Sequence, residues 1–252
     1  MSARLRVGIS TCPNDTFAFH GLLTGAVDCA GVELEFELAD VQALNEGLRA
    51  GRFDVAKGSF AAALALARER VVLPVGAALG FGVGPVVLAA RAGERPARPR
   101  VLCPGEDTTA TLLWRLFHPG EGEVRQVVFS SIMPALERGE ADLGVCIHEG
   151  RFTYAQRGLL LVEDLGERWE RASAGPLPLG GLLARRDLGE ELLARLAGAV
   201  RASILYGYAH RAEALTTMRR HAREQADDVL WRHVELYVND ETLGLSPAFL
   251  TS

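Results

Sequence analysis

Apolar and polar positions alternate strictly in two early stretches. Leu5, Val7 and Ile9 are separated by Arg6 and Gly8, and Val32, Leu34, Phe36 and Leu38 are separated by glutamates. A period of two is that of a half-buried strand. Between them, Asp15 to Leu23 reads as a helix ending near Gly25, and Asp40 caps a further helix whose stripe of Val41, Leu44 and Leu48 ends at Gly51. Phe53 to Ala56 predicts a short strand, and an alanine-rich helix follows from Phe60 to about Arg70. Val71 to Ala78 and Pro85 to Ala90 read as strands flanking GFGVGP, which has no helix after it and is expected to be a hinge or tight turn rather than a phosphate loop.

The charged segment Arg91 to Arg100, with two prolines and no apolar period, reads as a linker. A second series begins at Val101 and continues through a strand at Val127–Phe129, a helix from Met133 to Gly139, and strands at Leu143–Ile147 and Leu159–Val162. A second break at Ser173–Pro178 precedes a strand at Gly181–Ala184, and the remainder reads as helices from Leu188 through Trp231. Strands alternating with helices predict an α/β fold with largely parallel sheets.

One pattern occurs twice. LRAGRFDVAKGS begins at Leu48 and LERGEADLGVCIH begins at Leu136, both following L-x-x-G-x-x-D into a strand. The copies predict two similar lobes, each delivering polar groups where its strand stops: Lys57 and Ser59 in one, His148 and Glu149 in the other. Since α/β sheets bind ligands beyond the carboxyl ends of their strands, a cleft between the lobes is the expected binding place.

Charge and composition narrow the classes. The net charge is −5 over 252 residues, with 48% hydrophobic and 23% charged residues, so nothing points to nucleic acid or an anionic membrane. MSARLRVGIS enters a strand directly, without the apolar core of a signal peptide, and a cytoplasmic location is expected. The four cysteines, Cys12, Cys29, Cys103 and Cys146, have neither zinc spacing nor a CxxC pair, and no metal site is expected.

Four polar clusters fall at strand ends. STCPNDTF (Ser10 to Phe17) reads as a nucleophile loop around Cys12, a ligand cradle, or a polar turn in which Asn14 or Asp15 caps a helix. Lys57, the chain's single lysine, is either a counter-ion for an anionic ligand or a solvated surface group. Asp107–Thr109 is either an ordinary N-cap or a seat for a carboxylate or phosphate. His148, beside Glu149, is either a structural histidine or a general base, and it is also the one candidate partner for a Cys12 thiolate. The other five histidines (His20, His118, His210, His221 and His233) read as structural or exposed.

Taken together, STCPNDTFAFHGLL, DVAKGSFAA, GFGVGP, PGEDTTATLL, ADLGVCIHEGRFTY and PLPLGGLLARRD resemble the 1,4-dihydroxy-6-naphthoate synthases of the futalosine route to menaquinone, in the same order over nearly the whole chain. The resemblance implies a type II periplasmic-binding-protein-like fold used as an enzyme, with two α/β lobes, two crossovers and a cleft. The large lobe would comprise residues 1–92 and 177–252, and the small lobe 93–176. It implies a small-molecule substrate, cyclic dehypoxanthinyl futalosine, an aromatic carboxylate carrying a ribose-derived ring, and no cofactor. By match to the family's motifs, His148 is expected to be the proton acceptor. Lys57, Gly58, Ser59, Thr109 and Ala110 are expected to bind substrate, with Cys12, Asn14, Asp15 and Thr16 lining the mouth of the first lobe.

The chain departs from the family at three places: Thr11 stands where proline is common, Gly58 where a bulkier apolar residue is usual, and the sequence stops at Ser252 where relatives run on into a further helix. The resemblance leaves oligomeric state open. Competing expectations are a solute-binding protein for a small carboxylate, the effector domain of a regulator, and the sister enzyme that dehydrates chorismate.

Overall fold

The computed structural model describes residues 3–148, 150–222 and 226–246. Eleven strands are described: β1 Ala3–Ser10, β2 Val32–Ala39, β3 Val55–Ser59, β4 Arg70–Val72, β5 Ala78–Gly80, β6 Val86–Ala89, β7 Arg100–Cys103, β8 Glu123–Gln126, β9 Leu143–Cys146, β10 Leu160–Asp164 and β11 Leu177–Arg185. The α-helices among the described residues are α1 Pro13–Ala18, α2 His20–Leu23, α3 Val41–Arg49, α4 Phe60–Ala65, α5 Thr109–Phe117, α6 Ile132–Glu137, α7 Gly150–Thr153, α8 Leu165–Ser173, α9 Glu190–Ala209, α10 Arg211–His221, α11 Asp227–Tyr237 and α12 Asp240–Leu243.

The chain divides into one unit of residues 1–79 and 179–252 and a second of residues 80–178. The crossing points therefore fall after Leu79 and Pro178, whereas the expected linker, Arg91 onward, lies inside the second unit and joins β6 to β7.

In the first unit the sheet order is β2-β1-β3-β11-β4, with β5 on β11. β1 runs parallel to β2 and β3, and β11 returns antiparallel against β3 and β4. The sheet is thus mixed rather than largely parallel. The alternation in β2 is realised as expected, with its apolar residues half-buried and its glutamates exposed. Each sheet face has its own core. Leu5, Val7, Ile9, Val55 and Leu182 pack with Val200, Ile204 and Met218 of the long helices on one face, and Leu44, Leu48, Phe53, Ala56 and Leu183 cluster on the other.

Several elements end earlier than the apolar pattern suggests. The expected first helix is two, α1 and α2, with Phe19 between them. α4 stops at Ala65 and Arg70 already belongs to β4. Pro74 and Gly76 (φ +71) then divide the expected long strand into β4 and β5.

The second unit has the order β10-β6-β9-β7-β8. β7 is parallel to β8 and β9, while β6 is antiparallel to β9 and β10. Val86, Leu88, Leu102, Ile132, Leu136 and Cys146 belong to its buried cluster. The expected strand Val127–Phe129 is a turn and a single 3-10 turn, the strand being the more polar Glu123–Gln126. An edge strand exposed on alternate positions carries its polar residues outward, so an apolar run was the weaker signal. Among the described residues, no helix is long and apolar enough to cross a membrane.

Candidate active site

The first polar loop is organised around the carboxylate of Asp15. β1 ends at Ser10, and α1 starts with Pro13 at its first position, where a missing N–H matters least. Cys12 occupies the N-cap with extended backbone (φ −68, ψ 148) and contributes its carbonyl rather than its side chain, accepting from Asp15 N at 3.1 Å and Thr16 N at 3.0 Å. Neither Asn14 nor Asp15 is the cap. The Thr16 hydroxyl donates back to the Cys12 and Pro13 carbonyls at 3.1 and 3.3 Å.

Asp15 Oδ2 accepts from Ser10 Oγ at 2.6 Å, and its Oδ1 accepts from Asn14 Nδ2 at 2.9 Å and from Lys57 Nζ at 2.9 Å. Lys57 Nζ also donates to the Gly76 carbonyl at 2.7 Å. With side-chain exposures of 8% and 4%, Lys57 and Asp15 form a buried pair, so the solvated-lysine expectation is overturned. Two charges taken out of water are tolerated when further hydrogen bonds support them, and the Asp15 carboxylate accepts from three donors. The network reaches α11: a carboxylate can only accept, which fixes the Asn14 amide with its oxygen toward His233 Nε2, 3.0 Å away. His233, expected to be structural or exposed, is buried and stands behind the loop.

Lys57, Gly58 and Ser59 close β3. Gly58 is glycine for a packing reason: a Cβ there would lie 2.5 Å from Leu183 Cδ1 and 2.7 Å from Leu48 Cδ1. Those leucines occupy the volume that a bulkier residue would take, and Gly58 offers only backbone. Ser59 is 2% exposed and caps α4, its hydroxyl accepting from Ala62 N at 3.1 Å. Asn45 clamps it, with Asn45 Oδ1 accepting from Ser59 N at 3.0 Å and Nδ2 donating to Ser59 Oγ at 3.2 Å.

In the second unit, Thr108 is the N-cap of α5, its hydroxyl accepting from Thr111 N at 3.2 Å and donating to the Gly105 carbonyl at 2.7 Å. Thr111 Oγ1 donates to the same carbonyl at 2.6 Å. This lattice fixes the first turn of the helix, where Thr109 and Ala110 stand, both buried. The first N–H groups of a helix have no intrahelical partner and carry the positive end of its dipole. Burial pushes the Cys103 and Cys146 thiols up to about 12, which keeps both protonated and unreactive.

His148 follows β9 and is half-buried, its ring edge-on to Phe129 with centroids 5.0 Å apart. Its backbone sits at φ 56, in the left-handed region that a non-glycine residue rarely occupies. Such a conformation persists where surrounding structure over-determines it, and it is commonest at functional sites. The Arg151 N–H donates to the His148 carbonyl at 3.3 Å. The Arg151 guanidinium pairs with Asp164 at 2.6 Å and donates to the Gly82 and Gly84 carbonyls, each at 3.2 Å. Asp164 is itself the N-cap of α8. Arg151 was absent from the sequence-based candidates, although basic character three positions after a candidate base was a readable signal. Glu149 lies outside the described residues.

In both units the candidates stand at the carboxyl ends of adjacent parallel strands: after β1 and β3 in the first, after β7 and β9 in the second. Among the described residues, no group of three His, Cys, Asp or Glu side chains is placed to hold a metal ion.

Comparison with known proteins places this arrangement. The family model described as menaquinone biosynthesis matches residues 5–250. The chain belongs to the menaquinone-biosynthesis family. Within that family it is 47% identical over 241 residues to the 1,4-dihydroxy-6-naphthoate synthase of Thermus thermophilus, covering 96% of this chain and 88% of that one. It is 40% identical to the enzyme of the same name from Streptomyces coelicolor, covering 96% and 87%. A family enzyme of menaquinone biosynthesis is thus built on this frame.

Among solved structures, a protein of Archaeoglobus fulgidus superposes with a TM-score of 0.92 at 32% identity, covering 98% of this chain and 93% of that one. The alkanesulfonate-binding protein of Xanthomonas axonopodis superposes at 0.69 with 14% identity, covering 93% and 84%. The fold is therefore periplasmic-binding-protein-like.

Proposed function

We propose that the chain is a 1,4-dihydroxy-6-naphthoate synthase, converting cyclic dehypoxanthinyl futalosine to 1,4-dihydroxy-6-naphthoate and dihydroxyacetone, with His148 as proton acceptor. The 47% identity to a synthase of that name supports the activity. The observation that carries the residue assignment is His148 held on left-handed backbone at the end of β9. In this reading His148 removes a hydroxyl proton from the sugar-derived ring, and the electrons released break the adjacent carbon–carbon bond in a retro-aldol sense. Aromatisation of the remaining ring drives the step. The Thr109 hydroxyl, the Ala110 N–H, Ser59 and Lys57 bind substrate oxygens, and Cys12, Asn14 and Thr16 shape the wall beside them. The electrons stay within the substrate, so the reaction as written calls for no cofactor. A biosynthetic role of this kind fits a cytoplasmic protein.

General-base catalysis contributes about 10²–10⁴ in rate. His148→Asn, which keeps size and polarity but cannot take the proton, is expected to lose turnover by at least about a hundredfold while still binding the naphthoate product. Single-turnover kinetics with the substrate and a fluorescence titration with the product measure the two. Turnover within threefold of wild type would remove His148 from the role. The solute-binding alternative has the fold likeness to the alkanesulfonate-binding protein as its support, and fold alone does not give function.

A further inference from the structure

Lys57 carries three N–H donors, and two are committed inside the protein: one to Asp15 Oδ1 at 2.9 Å and one to the Gly76 carbonyl at 2.7 Å. Among the described residues these two acceptors leave one ammonium proton uncommitted. The aliphatic stem lies beside Gly180, where a Cβ would come 3.6 Å from Lys57 Cε. Asp15 has little freedom of its own, because Ser10 Oγ holds one oxygen and Asn14 Nδ2 shares the other. Ser10 Oγ in turn accepts from Cys12 N at 3.2 Å, and Asn14 is backed by His233.

This geometry decides what kind of substrate oxygen Lys57 can serve. The pair is neutral as a whole and shielded from water. A carboxylate brought to the remaining proton would lose its hydration while meeting the negative charge of Asp15 across the same nitrogen. A neutral hydroxyl or carbonyl oxygen accepts the hydrogen bond without that repulsion. We propose that Asp15 is a positioning residue that presents Lys57 as a charge-balanced donor to a neutral oxygen of the substrate's sugar-derived part, not as the counter-ion of its carboxylate. The proposal rests on the synthase reading given above and replaces the expectation that Asp15 itself touches substrate.

The test uses the full chain as wild type, as Asp15→Asn, as Ser10→Ala, and as Lys57→Met combined with Asp15→Asn. The measurements are kcat and KM for naphthoate formation, the dissociation constant of 1,4-dihydroxy-6-naphthoate, and the melting temperature. Asp15→Asn leaves Lys57 an unbalanced cation, so kcat is expected to fall about tenfold to a hundredfold while the carboxylate-bearing product binds several-fold more tightly. Ser10→Ala, a milder change that keeps the pair, is expected to move kcat in the same direction by about threefold and preserves the test should Asp15→Asn fail to fold. Lys57→Met, made together with Asp15→Asn so that no buried carboxylate is left unpaired, is expected to lose turnover with product affinity within about threefold of wild type.

A merely structural Asp15 would lower the melting temperature without tightening product binding. Product affinity weakened tenfold or more in that double variant would make Lys57 the carboxylate's counter-ion and overturn the proposal. So would unchanged kcat and product affinity in Ser10→Ala together with any folded Asp15→Asn. Wild-type protein that forms no naphthoate would instead overturn the synthase reading, and this assignment with it.

Discussion

Arg151 stands directly behind His148, the proposed base. Its guanidinium spans a carboxylate and two carbonyls, Asp164, Gly82 and Gly84, a reach that suits the planar fork and not a lysine ammonium. Its own N–H holds the carbonyl of His148. Arg151→Met is expected to lower kcat about tenfold or more with a smaller change in KM, since the base is displaced rather than the binding groups. Because the pair with Asp164 is largely buried, the variant should also lose about 3 kcal/mol of stability in urea unfolding. Arg151→Lys should recover only part of either loss. Wild-type kcat in Arg151→Met would break the link to His148.

The two halves of the loop chemistry differed in how far sequence exposed them. His148 and Thr109 sit at strand and helix ends that periodicity marks. The Lys57–Asp15 and Asn14–His233 contacts join distant parts of the chain that no local spacing connects.

At the scale of elements, the duplicated L-x-x-G-x-x-D pattern proves to be the same fastening built twice. Gly51 and Gly139 end α3 and α6 at φ +68 and +71. Asp54 Oδ2 accepts from Arg6 N at 2.8 Å, and Asp142 Oδ2 accepts from Arg100 N at 2.8 Å. Each aspartate's own N–H donates back to the same arginine's carbonyl, at 3.0 and 2.9 Å. Each arginine side chain reaches the glycine carbonyl, Arg6 to Gly51 at 3.2 Å and Arg100 to Gly139 at 2.9 Å. Sequence displayed the glycine and aspartate because their positions are fixed relative to the helix. It did not display the arginines, which arrive from a separate strand in each unit.

The Arg100 guanidinium and backbone N–H hold the Asp142 carboxyl below its ordinary range. A carboxyl depressed in the folded state adds stability above its unfolded value, near pH 4, and that stability disappears as pH falls through the lower folded value. Asp142→Asn should therefore be less stable than wild type by about 1 kcal/mol at neutral pH, the site being partly solvated. The gap should stay constant down to about pH 4 and close below it. Urea midpoints of both proteins between pH 3 and 7 measure this, and a gap that widens on acidification would contradict the fastening.

For the molecule as a whole, strand–helix alternation and the internal echo sufficed to indicate two α/β units, and the motif resemblance supplied the periplasmic-binding-protein-like fold. The boundaries were less legible. The Pro- and Arg-rich segment after Arg91 imitates an interdomain linker, yet it is a long surface connection between two strands of one sheet. The division after Leu79 falls within the apolar strand β5, where composition does not change. The antiparallel return of β11 was invisible because side-chain period marks a strand but not its direction.

The reaction proposed for this chain is carbon–carbon cleavage of one particular substrate. Incubation of the purified protein with cyclic dehypoxanthinyl futalosine, followed by the naphthoate chromophore and by dihydroxyacetone, tests it most directly. Repeated turnover with the two products formed in equal amounts is expected. A stoichiometric complex that releases neither product would contradict it and favour a binding protein.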